Sequence, residues 1–204
     1  GFIWGRMVFN DAKIIVYNPD TKRPDEEPVE RSTIVIDNGL LDEKKEHAFR
    51  STVMHESGHS IYHDEYYYID YYQLPLEDDN EAEHLPYTSC EARSIVGGPS
   101  GASRKLRTDI EWIEHQAKYF SAAALMPRKT MRMLCADPTI QHLCFSKYPG
   151  YENDALIAIV SKVYNVSYES AKIRINELKL AYISPSPATD SYYLTGNYYS
   201  MPLL

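Results

Sequence analysis

The sequence predicts an α+β fold in which a small β-sheet packs on a long helix and further helices follow, the last two forming a pair. Three observations carry that expectation. Two short β-branched runs stand near the start, a Pro-free stretch of good helix formers follows over residues 42–63, and helical periodicity returns after Asp109. With 44% hydrophobic and 25% charged residues over 204 positions, the chain has the make-up of a globular protein large enough to bury a sizeable core.

Residues 13–17 and 32–37 read as strands, separated by a Pro- and charge-rich stretch over 18–30 that reads as a polar loop, and closed by Asn38-Gly39. The first helix, residues 42–63, opens with acidic residues and is interrupted only by Gly58. Residues 64–107 show no clean period and read as an irregular insertion. They hold the tyrosines Tyr66, Tyr67, Tyr68, Tyr71 and Tyr72, an acidic run over 77–83 and a glycine loop over 97–101. A second helix is expected from Asp109, read as its N-cap, to Met126, where Pro127 begins the exit. Two short amphipathic helices, 153–164 and 168–180, flank Asn165-Val166-Ser167. The organisation expected is thus one unit over residues 1–183, carrying the 64–107 insertion, and a tail over 184–204 with little regular structure. In that tail Tyr192, Tyr193, Tyr198 and Tyr199 are expected to pack on the same molecule.

Charge and cysteine usage exclude some classes of function. A net charge of −8 argues against nucleic acid as the main partner, because phosphate binding concentrates Lys and Arg. Over residues 152–182 the bases Lys162, Lys172, Arg174 and Lys179 are balanced by Glu152, Asp154, Glu169 and Glu177, a poor basis for a DNA-binding regulator. Arg104, Lys105 and Arg107 read as a solvated turn before the second helix. No apolar run approaches the roughly 18 residues of a membrane span, so no membrane role is expected. Cys90, Cys135 and Cys144 match neither a disulfide framework nor a paired-cysteine metal site, which favours buried free thiols and a cytoplasmic location.

The pattern His55-Glu56-Ser57-Gly58-His59 is where chemistry enters. On a helix, positions i and i+4 stand about 40° apart and about one turn up the same face, so both imidazoles can reach one tetrahedral zinc ion. Glu56, about 100° round from His55, projects beside that point and suits a catalytic base. Met54, Gly58 and Ile61 flank this face on one side and Phe49 and Val53 on the other, so burial on several faces is expected. Gly58 costs about 1 kcal/mol of helix propensity relative to Ala, which implies a close approach by another backbone or a substrate. His63 also follows His59 by four, but on a continuous helix it lies about 12 Å along the axis from His55, so it is expected to cap or hydrogen-bond near the helix end. The third ligand is expected to be Glu114, whose carboxylate falls amid Ile110, Ala117, Ser121, Ala124 and Leu125. A charge on that stripe needs a cation or donors. Glu111 lies toward the stripe's edge near Lys118 and Ala122, where a surface ion pair accounts for it.

Residues 52–59, Thr-Val-Met-His-Glu-Ser-Gly-His, together with 114–127, Glu-His-Gln-Ala-Lys-Tyr-Phe-Ser-Ala-Ala-Ala-Leu-Met-Pro, resemble the ImmA/IrrE family of metallo-endopeptidases. Residues 160–180 resemble that family's closing helix pair, so the likeness covers roughly residues 31–182. The resemblance implies a zincin-like fold of the gluzincin kind, one Zn2+ ion on His55, His59 and Glu114, and Glu56 as base. It also implies protein substrates that are helix-turn-helix repressors of mobile elements or stress regulons. Two features depart from the family pattern: the gap between His59 and Glu114 is long, and Lys118 stands where a small amide is common.

The activity expected is therefore zinc-dependent peptide-bond hydrolysis. A nearby Tyr or His would supply the oxyanion donor, and the 18 tyrosines leave its identity open. The competing expectation is a non-catalytic, zinc-stabilised sensor or protein-binding module of the same fold.

Overall fold

The computed structural model describes residues 3–18, 20–67, 87–88, 90–91, 108–183 and 193–194. It is a mixed α+β structure of antiparallel strands and, among the described residues, seven α-helices. The first sheet has the order β4-β1-β5, from β1 (Ile3–Val8), β4 (Thr33–Ile36) and β5 (Cys90–Glu91), with Gly5 opposite Ile36 and Arg6 opposite Val35. The second is a hairpin of β2 (Ala12–Asn18) and β3 (Arg23–Val29), in register from Ala12–Val29 to Asn18–Arg23.

Neither β1 nor β3 was expected where it occurs. β1 carries Gly5 and Arg6 in its middle, which break the apolar run, yet Met7, Val8 and the following Phe9 are fully buried. β3 corrects the polar loop expected over 18–30. Its side chains are nearly all exposed, so no buried face reveals it, and it is held by backbone pairing with β2. Pro24 and Pro28 lie four apart and so share one parity of the ladder; their missing N–H groups fall on the open edge, where a strand tolerates proline. Asn18 closes the turn by accepting from the N–H groups of Asp20 and Thr21.

The first helix, α1 (Glu46–Tyr62), is shorter than the expected 42–63 because Asp42 caps a 3-10 turn, Glu43–Lys45, ahead of it. From Ala48 to Ser60 no residue of α1 is exposed, in keeping with its expected burial on several faces. Ile61 departs from that expectation: it is 61% exposed. On one side α1 lies against β1, where a Cβ on Gly5 would sit 2.5 Å from Thr52 Cγ2. On the other it lies against α3 (Asp109–Leu125).

Thr108, not Asp109, caps α3. Its extended backbone turns the hydroxyl to accept from Glu111 N, and Asp109 becomes the first helical residue. The short helix α2 (Asp64–Tyr67) follows α1, and β5 completes the first sheet. Both lie within the stretch expected to be an irregular insertion, so that reading is corrected for these residues.

The remaining helices build the larger apolar core. α4 (Arg128–Cys135) and α5 (Pro138–Lys147) fill a region the sequence left unassigned. Asp137 caps α5 by accepting from Thr139 and Ile140 N–H, with Pro138 in the first turn. The expected closing pair is α6 (Glu152–Tyr164) and α7 (Tyr168–Glu177); Asn165 ends the first in the left-handed region at φ 49° and Ser167 caps the second. Met126, Met131, Leu156, Val160, Ile175 and Leu180 fuse α3–α7 into one cluster. Two arginines tie this block to the site helices. Arg50 of α1 donates to the carbonyls of Tyr164 and Asn165, and the buried Arg174 donates to Met126 O at the end of α3. In the tail, Tyr193–Leu194 (β7) pairs with Tyr182–Ile183 (β6).

Several expectations lie outside the described residues: Tyr68, Tyr71 and Tyr72, the acidic run over 77–83, the glycine loop over 97–101, Arg104, Lys105 and Arg107, and Tyr192, Tyr198 and Tyr199. Among the described residues, no helix is long and apolar enough to cross a membrane.

The cap assignment is testable by urea denaturation. Thr108→Ala should cost about 0.5–2 kcal/mol through loss of the cap, whereas Asp109→Ala removes only a first-turn charge worth about 0.3–1 kcal/mol. A larger loss for Asp109→Ala would reassign the cap.

Candidate metal centre

His55 and His59 project from α1 on one face, one turn apart, and their Nε2 atoms stand 3.1 Å from each other. Glu114 of α3 closes a triangle with them. Its Oε2 lies 3.4 Å from His55 Nε2 and its Oε1 lies 3.3 Å from His59 Nε2. The two imidazoles are buried, while the Glu114 side chain keeps 26% of its surface and marks the open side.

Whether a metal ion fits can be judged from these edges. Ligand atoms about 2.0–2.1 Å from a tetrahedral ion stand about 3.3–3.4 Å from one another. The three observed separations, 3.1, 3.3 and 3.4 Å, match that spacing closely. His55, His59 and Glu114 therefore lie within range to bind one metal ion, and among the described residues no fourth His, Cys, Asp or Glu joins this group. Burial works to raise the Glu114 carboxyl, but hydrogen bonds and opposite charge from the two imidazoles override it and hold the group well below the usual carboxylate range.

The close approach of α3 has a specific cause. A Cβ on Gly58 would meet Phe120 Cδ1 at 3.1 Å and Ala117 Cα at 3.2 Å, so the glycine lets the two backbones touch. This is the close approach that the sequence implied. Ser121 Oγ adds a hydrogen bond across the same contact, donating to Ser51 O.

Glu56, next to His55 on α1, is held from the sheet side. Thr88 donates its hydroxyl to Glu56 Oε2 at 2.7 Å and accepts from Met7 N–H at 2.9 Å, while Thr88 N–H donates to Met7 O. The second carboxylate oxygen, Oε1, is buried and has no hydrogen-bond partner among the described residues. Burial pushes the Glu56 carboxyl up to about 7, against the opposing pull of the Thr88 hydrogen bond. Thr88 is a site residue that sequence reasoning missed. A lone threonine has no spacing signature, and only strand pairing brings it to Glu56.

Cys90 is fully buried, with its sulfur in ligand reach of His55 and Glu56 but outside the triangle. Burial holds its thiol above the ordinary range, so it stays protonated. All three cysteines are buried and free, as expected. His63 also behaves as expected. It ends α1, its backbone N–H donating to His59 O, and its ring sits between His59 Nδ1 at 3.1 Å and Gln116 Oε1 at 2.9 Å. Glu111 belongs to neither group of potential ligands. Tyr67 stacks on Phe9 and meets His59 edge-on at 6.5 Å between ring centres; burial first, then the charge of Glu114, raises its phenol to about 12.

No protein-family model, no curated protein and no solved structure matches this chain.

Two substitutions probe how the site is held. Gly58→Leu should destabilise the protein by about 1–3 kcal/mol or more through overpacking, and it should lower metal uptake because it drives α3 from α1. Unchanged thermal stability together with full metal loading would contradict the contact. Thr88→Val should cost about 1–3 kcal/mol for each buried group left without a partner, here Glu56 Oε2 and Met7 N–H. Thr88→Ser should retain most of the stability, and equal denaturation midpoints for the two variants would remove Thr88 from this role.

Proposed function

We propose that the chain is a zinc-dependent endopeptidase of the ImmA/IrrE type with a zincin-like fold. The observation that carries this reading is the triangle of His55, His59 and Glu114, with a carboxylate oxygen of Glu56 within 4.8 Å of a His55 ring nitrogen. Three protein ligands suit catalytic rather than structural zinc, which is held by four. The likeness of residues 52–59 and 114–127 to that family supports the same reading.

His55, His59 and Glu114 would hold the ion. When bound, zinc polarises a carbonyl and makes water a better nucleophile near neutral pH. Glu56 takes a proton from the attacking water and returns it to the departing amine, while Thr88 keeps its other oxygen in place. Tyr67 is the described tyrosine in ring contact with a ligand histidine, and is the residue we assign as hydrogen-bond donor to the oxyanion. By the same family likeness, the substrate is a helix-turn-helix repressor of a mobile element or stress regulon.

Glu56→Gln separates binding from catalysis. Zinc stoichiometry should stay at one per chain while hydrolysis of a susceptible peptide falls about 10²–10⁴-fold. His55→Ala should lose both metal and activity. Retained hydrolysis in Glu56→Gln would remove the base from its role, and zinc-loaded wild-type protein that cleaves no peptide library would favour a non-catalytic, zinc-stabilised binding module.

A further inference from the structure

His59 uses both ring nitrogens. Nε2 faces the triangle, while Nδ1 meets His63 Nδ1 at 3.1 Å, and His63 Nε2 in turn meets Gln116 Oε1 at 2.9 Å. Each contact holds one hydrogen, and the far end of the chain determines its direction. A carboxamide oxygen only accepts, so His63 carries its hydrogen on Nε2 and donates it to Gln116. The neutral His63 ring is then bare at Nδ1 and can only accept. His59 must therefore carry a hydrogen on Nδ1, so that Nε2, which faces Glu114, is the nitrogen left to give a lone pair to a cation. The opposite order would put a hydrogen on His59 Nε2, where a cation belongs.

From this geometry we infer that Gln116, acting through His63, is a positioning residue that sets the tautomer of His59 and so prepares its Nε2 to ligate the metal ion. The proposal deepens the metal reading above and rests on it. His63 is only 3% exposed, and among the described residues its ring nitrogens hydrogen-bond to His59 and Gln116, so the relay is shielded over most of its length. Gln116 sits at the exposed rim of α3, two residues after Glu114. One helix thus delivers both a ligand and the group that orients another ligand. Partners that orient a metal-ligating histidine in this way typically change metal affinity about 10–100-fold when removed.

The substitution series at Gln116 has a sign as well as a size. Glu at this position still only accepts, Leu is mute, and Lys only donates, which drives the relay backwards. Zinc affinity, read by competition with a chromophoric chelator, should stay at or above wild type in Gln116→Glu, fall about 10-fold in Gln116→Leu, and fall furthest in Gln116→Lys. His115→Lys, one residue away and outside the relay, controls for added charge. In metal-free, ¹⁵N-histidine-labelled wild-type protein, NMR should show His59 protonated on Nδ1 and His63 on Nε2. Wild-type affinity in both Gln116→Leu and Gln116→Lys, an equal loss in His115→Lys, or a His59 ring with no hydrogen on Nδ1 would overturn the relay. Failure of the metal reading looks different: wild-type protein then takes up no zinc, while the NMR tautomers still report on the relay itself.

Discussion

Where α1 crosses α3, Gly58 lies against the Cα of Ala117, and even a methyl group there would meet neighbouring atoms at 3.1–3.2 Å. The site depends on that contact, because α1 supplies the two imidazoles and α3 supplies the carboxylate. The triangle they form has edges of 3.1–3.4 Å, and a wider helix separation would leave Glu114 out of reach of the ion. The glycine weakens α1 locally by about 1 kcal/mol, and in exchange the two helices approach more closely than a side chain there would allow without displacing its neighbours. Arg50 and Arg174 then fasten both helices to the apolar block of α4–α7.

The same helix is clamped from its other side, and the two sides do different work. Toward α3 the environment favours charge, since two imidazoles hold Glu114 ionised despite its burial. Toward the sheet, burial works against charge, and Glu56 is raised to about 7 even with Thr88 donating to it. The two carboxylates thus receive opposite settings from their surroundings, which suits the ligand and base roles proposed for them. Gly5 makes the second setting possible by letting β1 approach Thr52 and Glu56 closely.

Much of the metal group was legible because it obeys local rules. The 55/59 spacing follows from helix geometry, and Glu114 stood out as a carboxylate on an apolar stripe. Gly58 stood out as a mid-helix glycine with no local reason to be there. The strands were harder. β1 is interrupted by Gly5 and Arg6, β3 carries two prolines and almost no buried face, and β5 is described over only two residues, so none shows the alternation that marks a half-buried strand. The caps were legible only by type: a capping residue was visible at the start of α3, but Thr108 and Asp109 compete for one hydrogen bond and only the backbone angles choose between them.

By itself, the sequence determined which side chains share a helical face, because a fixed rise and rotation per residue place positions 55 and 59 together wherever that helix goes. It likewise determined that a carboxylate among alanines and leucines would need a partner. Only the tertiary structure decided how those faces meet. Thr88 reaches Glu56 across 32 residues, and Gln116 reaches His63 across 53, through a strand pairing and a helix crossing that no local pattern encodes. Side chains so far apart in the chain are brought together by burial of apolar surface, a non-directional force; hydrogen bonds specific to the residues form once it has done so.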